Sequence, residues 1–195
     1  MIFTRSNVAP ETDYNKYKEP LRKDFKYRCA YCLRLEDQFG GHANGEIDHF
    51  CPQAIDPTKK TEYNNCYWTC HECNNKKWHH WPKPWQSAKG FRFIDPCVED
   101  FDKHMDYMAK SGALNALTAA ARYTIWKIRL NRPELRFHRR RQWDISEEIN
   151  ILRQMILSGD LSDLEVEETQ RRIHLLNPFI NPPIFRRVPR APMDK

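Results

Sequence analysis

Two Cys-x-x-Cys pairs stand 41 residues apart in this chain of 195 residues, and they constrain its fold more than any other feature. The first is Cys29 and Cys32, in Arg28-Cys29-Ala30-Tyr31-Cys32; the second is Cys70 and Cys73, in Thr69-Cys70-His71-Glu72-Cys73-Asn74-Asn75-Lys76-Lys77. Four thiolates in two such pairs make a closed tetrahedral zinc site, which staples distant segments together. Here the staple would join Glu46-Ile47-Asp48-His49-Phe50-Cys51-Pro52, lying between the pairs, to the start of a helix. The cysteine count is seven, an odd number, and four of them have metal spacing, which favours a reduced metalloprotein over a disulfide framework. Cys51, Cys66 and Cys97 read as small buried hydrophobes.

Composition adds bounds. The chain is 40% hydrophobic and 30% charged, with a net charge of +6. An excess of Lys and Arg favours polyanionic partners. No run approaches the ~20 apolar residues of a membrane span. Met1-Ile2-Phe3-Thr4-Arg5 lacks an apolar signal core, so a cytoplasmic location is expected.

Residues 1–20 read as a polar N-terminal arm, with Pro10 and Pro20 as breakers. A compact core is expected over 21–111. Within it, a short strand ends at Ile47–Phe50, a second covers Cys66–Trp68, and a helix starting near Cys70 carries Asn74 and Lys77. Phe91–Ile94 alternates as a further strand would. A helical extension is expected over 112–177. Leu114, Leu117, Ala121, Ile125 and Ile128 form one apolar stripe, and Ile145, Ile149, Leu152 and Ile156 form another on a helix from Pro133 to Ser158, stopped by Gly159. A last helix spans about Ser162–Leu176, acidic early and basic late. Residues 178–195 form a Pro/Arg-rich tail.

The arrangement of Asp48-His49 between the cysteine pairs, with Asn65 and then Asn74 nine residues later, resembles the HNH nuclease family. The likeness covers roughly residues 27 to 80. It implies an α+β fold, a zinc-knuckle ββα-metal core followed by a mostly α-helical C-terminal extension. It also implies hydrolysis of phosphodiester bonds. The chemistry suits the residues. Cleavage by water needs a base, a divalent cation at the leaving oxygen and in-line placement of both. His49 would be the base, since its ordinary pKa lies near neutrality. Asp48 would hold a hard cation, Mg²⁺ or Mn²⁺. Adjacent residues of a regular strand face opposite ways, so the strand must end or bend there. By the resemblance, Asn65 pins the loop and orients His49 through the backbone, Asn74 is the second ligand of the catalytic cation, and Lys77 contacts phosphate. The zinc held by Cys29, Cys32, Cys70 and Cys73 would be structural.

Some residues depart from the family pattern. Cys66 stands where an aliphatic residue is usual, and the third catalytic position is Asn rather than His. Phe93-Ile94-Asp95-Pro96-Cys97, Glu99-Asp100, His104, Thr124-Ile125, Leu130-Asn131-Arg132 and Arg139-Arg140-Arg141 resemble the branch found in bacterial antiphage systems (Septu-type and retron-associated), where an ATPase subunit is the partner. That branch carries Arg-Pro-Lys where this chain has Cys51-Pro52-Gln53.

Between Lys127 and Arg141 there are seven Lys/Arg and one acid, Glu134. In a nuclease this run reads as a patch that tracks the nucleic-acid backbone, with Arg136, Arg139, Arg140 and Arg141 as contacts. Trp78, Trp81 and Trp85 could stack on bases, although packing around the zinc knuckle is the commoner use of Trp. Three readings stay open: a nuclease acting on DNA, the same nuclease acting on RNA such as tRNA, and a zinc-stabilised nucleic-acid-binding or docking subunit.

Overall fold

Five consecutive buried residues, Cys66 to Cys70, form the middle of the fold. A computed structural model describes residues 2–177, and the expected tail at 178–195 lies outside them. Strand β2 (Cys66–Cys70) pairs antiparallel with β1 (Gly45–His49), in the register Gly45↔Cys70 through His49↔Cys66. A strand buried on both faces needs cover on each. Helix α1 (Lys18–Asp24) and helix α2 (His71–Lys77), which follows β2 with no loop between, both pack against it. α1 carries Glu19 in its first turn and Arg22 and Lys23 in its last, which complements the helix dipole. Pro20 sits in the first turn, where its missing N–H is not needed.

The N-terminal segment differs from the arm expected. Phe3 is buried against Phe25, with ring centroids 4.9 Å apart, and its amide donates to Pro96 O at 2.9 Å. The Arg5 guanidinium lies over the rings of Tyr63, Phe25 and Tyr67 and donates to the Tyr63 and Cys66 carbonyls. Asp24 accepts from Ser6 N and Tyr63 Oη. A few well-placed side chains, not a periodic stripe, fold this segment onto the core.

The described chain is mixed α and β, with small antiparallel sheets. It divides into two units, Met1–Asp106 with Leu114–Asn131, and Tyr107–Ala113 with Arg132 onward. The passage between them runs through a hairpin, β3 (Met105–Met108) and β4 (Ala113–Ala116). This replaces the start of the helix expected from residue 112. The helix α4 (Ala119–Lys127) begins later, where Thr118 caps it by accepting from Ala121 N at 3.1 Å. α4 belongs to the first unit. Its Thr124 Oγ1 accepts from Ile94 N at 3.0 Å, and Tyr123 packs edge-on to Phe93. That bond holds residues 91–94 as an extended segment without a strand partner, so the strand expected there is absent. A short helix α3 (Pro84–Ser87) precedes it.

In the second unit, α5 (Pro133–Ser158) starts on proline and stops at Gly159, in the left-handed conformation at φ 76°. α6 (Asp163–Leu176) starts from Ser162, whose capping box with Glu165 is complete, and packs against α5. Residues 107–113 lie along the first turns of α5, where Arg136 Nε donates to Ser111 O and Arg139 Nε to Gly112 O. No helix among the described residues is long and apolar enough to cross a membrane.

Gly45 is required by close approach. A Cβ there would lie 1.9 Å from the ring of Trp68, which is fully buried. Gly45→Ala should therefore destabilise the first unit by about 1–3 kcal/mol through overpacking, read as a lower midpoint in urea unfolding. An unchanged midpoint would show that the β1–β2 pair is not packed as described.

Candidate active site and metal centre

The first cysteine pair sits on a tight knuckle. Cys29 N donates to Arg34 O and Leu33 N to Cys29 O, both at 3.0 Å, and Leu33 takes the left-handed conformation at φ 64° to close the turn. Ala30 N donates to Trp68 O at 2.8 Å, which fastens the knuckle to β2. Cys70 ends β2 as the N-cap of α2, and Cys73 lies one turn on. All four cysteines are buried, and their sulfurs lie within 4.8 Å of one another. Cys32 Sγ and Cys70 Sγ are 3.8 Å apart. Zinc–sulfur bonds of about 2.3 Å in a tetrahedron place sulfurs about 3.8 Å apart, so this group could hold a zinc ion. Hydrogen bonds from Cys29, Cys70 and Cys73, with the charge of Arg34, hold the Cys32 thiol well down, while burial pushes Cys29 well up.

Beside the knuckle lies a cleft of about 580 Å³ whose lining includes Asp48, His49, Gln53, Asn74, Trp78 and Tyr14. Asp48, His49 and Asn74 are thus brought together on one surface. β1 ends at His49, so the two neighbours both reach the cleft where the strand gives way to a bend.

His49 Nε2 lies 2.8 Å from Lys60 O, and Gln53 Nε2 lies 3.0 Å from His49 Nδ1. A carbonyl can only accept, so Nε2 carries the proton and Nδ1 offers a lone pair. Burial lowers the pKa of His49. The ring is therefore neutral and basic at Nδ1 near pH 7. Tyr14 meets it edge-on at 4.8 Å.

Asn65 lies outside the cleft lining. Its Oδ1 accepts from Cys51 N at 2.8 Å, and its Nδ2 donates to Cys51 O at 3.0 Å and Lys59 O at 3.2 Å. Phe50 N donates to Asn65 O. Asn65 thereby ties both ends of the 51–65 loop, and that loop presents the Lys60 carbonyl to His49.

Asp48 is buried and bears more contacts than a lone ligand would. Tyr31 Oη donates to Oδ2 at 2.5 Å, and Lys77 Nζ lies 3.1 Å from Oδ1 and 3.0 Å from Oδ2. Burial raises the Asp48 pKa, against the pull of Lys77 and Tyr31. Burial and the neighbouring carboxylate push the Tyr31 phenol well up, so it stays a donor.

Lys77 corrects the expected phosphate contact. It is fully buried, and its ammonium also donates to His49 O at 2.7 Å. A buried charge needs a partner, and Asp48 supplies it. Arg139 is likewise buried and spent on the Gly112 carbonyl, so it too is not a backbone-tracking group. Arg136, Arg140 and Arg141 are exposed, with Arg140 beside Asp144 at 4.0 Å.

Three residues near the site were not anticipated from the sequence. Tyr31 lies inside the first cysteine pair, and Gln53 covers the basic nitrogen of His49. Glu46 accepts from Asn74 Nδ2 at 2.6 Å, and its other oxygen lies 2.6 Å from His71 Nδ1. Burial alone would raise the Glu46 pKa; the bonds from Asn74 and His71 outweigh it and hold the carboxylate ionised. With Nδ2 committed to Glu46, Asn74 Oδ1 is turned away and makes no hydrogen bond among the described residues. The alternation that puts Glu46 and Asp48 on one face of β1 is the signal that could have found Glu46.

A hard divalent cation takes oxygen donors. Asp48 Oδ1, with Lys77 as its one hydrogen-bond donor, and the unbonded Asn74 Oδ1 are such donors on the wall of one cleft. Their chemistry fits such a cation. Trp78 also lines the cleft. It is 67% exposed and stands at φ 40°, a left-handed backbone that costs a non-glycine residue of order 1–3 kcal/mol. Trp81, in contrast, packs on Phe50 and Phe93.

No protein-family model matches the chain. None of the curated proteins matches it in sequence.

Two outcomes follow from the metal centre and the buried pair. Lys77→Met should cost about 3–5 kcal/mol, because it strands the Asp48 charge. Adding Asp48→Asn should recover part of that loss, and non-recovery in denaturant titrations would contradict the pairing. Cys70→Ser should lower bound zinc below one ion per chain and abolish cooperative melting of the first unit, since zinc binding is folding energy at such sites. Unchanged metal content and melting would exclude the centre.

Proposed function

We propose that the chain is a metal-dependent endonuclease of the HNH type, hydrolysing phosphodiester bonds, with DNA as the favoured substrate. The observation that carries this reading is the joint presence, in one cleft, of a neutral histidine with a fixed tautomer and two oxygen donors beside a four-cysteine knuckle. His49 accepts the proton of the attacking water at Nδ1, and the Lys60 carbonyl stabilises the imidazolium that forms through Nε2–H. Gln53 swings aside or relays that water, since its amide now covers the same nitrogen. Asp48 and Asn74 would hold Mg²⁺ or Mn²⁺, which would supply positive charge against the charge developing on the leaving oxygen. Asn65 keeps the loop, and with it the His49 ring, in register. Zinc at Cys29, Cys32, Cys70 and Cys73 serves structure alone.

A docking role for the second unit is a companion reading. Ile151, Leu157 and Leu164 are more than 60% exposed on α5 and α6, and a contiguous patch of such residues would mark an interaction surface. An ATPase subunit of an antiphage system is the partner this reading assigns, and it would make the isolated chain a weak nuclease.

The test is incubation of plasmid DNA and of total tRNA with the purified chain, with and without Mg²⁺ or Mn²⁺. Cation-dependent cleavage should appear in the native protein and fall at least a hundredfold in His49→Ala, whose melting should be unchanged (a general base contributes about 10²–10⁴-fold). Loss of tRNA with intact plasmid would assign RNA. Cleavage retained in His49→Ala would overturn the assignment.

A further inference from the structure

We propose that Trp78 is a stacking platform for an unpaired base, so that the cleft takes single-stranded or locally unwound nucleic acid rather than intact duplex. The inference deepens the nuclease reading and rests on it for the position of the scissile phosphate.

Three observations converge on this residue. Trp78 is 67% exposed although it lines the same cleft as Asp48, His49 and Asn74. Its one ring neighbour among the described residues is His79, tilted at 5.3 Å, and two thirds of the residue is open to solvent. Its backbone stands at φ 40°, a conformation glycine would adopt without strain. A chain that keeps a large aromatic at a strained, exposed position gains nothing in packing from it. Trp85 and Trp126 are also exposed, but of the tryptophans only Trp78 lines the cleft. Trp68 is fully buried, and Trp81 lies between Phe50 and Phe93.

The backbone also ties Trp78 to the cleft. α2 ends at Lys77, and Trp78 N donates to Asn74 O at 2.7 Å while the chain turns sharply. Asn74 is thus bonded at its carbonyl to the residue that bears the indole, which places the platform one turn from the donor residue of the cleft. A base in a duplex is already stacked on both faces, whereas an unpaired base offers a free π-face to an aromatic side chain. Stacking of this kind is indifferent to base identity, and DNA and RNA share it.

The experiment measures binding and cleavage separately, on the full-length chain. Binding is followed in EDTA by the fluorescence anisotropy of a labelled short oligothymidylate, an RNA oligomer of the same length, and a blunt DNA hairpin closed by a non-nucleotide linker. Native protein should bind the single strands, and Trp78→Gly and Trp78→Ala should each weaken single-strand binding about five- to a hundredfold while leaving hairpin binding within twofold. Trp78→Gly should melt at the same temperature or higher, because it relieves the backbone; a residue kept for packing would lose stability instead. Equal losses on strand and hairpin, no loss on either single strand, or a lower melting temperature in Trp78→Gly would each overturn the proposal. Preference for the DNA or the RNA oligomer tells which source supplies the unpaired base. Selective single-strand binding without cation-dependent cleavage would keep the platform and remove the nuclease reading; cleavage indifferent to Trp78 would do the reverse.

Discussion

Everything in the first unit hangs on the meeting of four sulfurs. Cys29 and Cys32 lie on a tight turn closed by the Cys29–Arg34 and Leu33–Cys29 backbone bonds, and Cys70 and Cys73 lie where a strand becomes a helix. Their convergence fixes where α2 begins, and therefore where Asn74 and Lys77 fall on it. It also holds Tyr31 close enough to donate to Asp48. A strand pair of five residues and a helix of seven could not hold such positions alone, since two-stranded sheets and short helices are marginal in water.

The Asp48–Lys77 pair shows how a site can prepare itself electrostatically. The carboxylate is out of water, which pushes its pKa up, and the buried Lys77 ammonium beside it pulls the other way. The same ammonium competes with any incoming cation. A divalent ion at Asp48, as proposed, would bind less tightly than at a bare carboxylate, and the balance would be set by a residue that never meets solvent.

Much of this was legible in the sequence, and the reasons it was legible are local. The cysteine spacing announces the metal group. Pro133 and Gly159 mark the two ends of α5, and Ser162 with Glu165 marks the start of α6. The unseen parts depend on long-range partners. A lysine one turn after Cys73 reads as a surface charge until the fold buries it under Asp48. Phe3 and Arg5 have no periodic company, so nothing nearby reveals that they are core. Leu114 and Leu117 fit a helical stripe, yet Thr118 delays the helix and leaves them in and after a strand.

The seating of Arg5 has a consequence for biosynthesis. Its partners are the carbonyls of residues 63 and 66, and Phe3 is secured by residue 96. A segment made early is thus completed by groups made much later, and closing so long a loop carries an entropic cost before any contact repays it. The first unit can reach its final form only after residues well beyond the cysteine pairs have left the ribosome. By then all four cysteines have been made, so the thiols could meet a metal ion before the core closes.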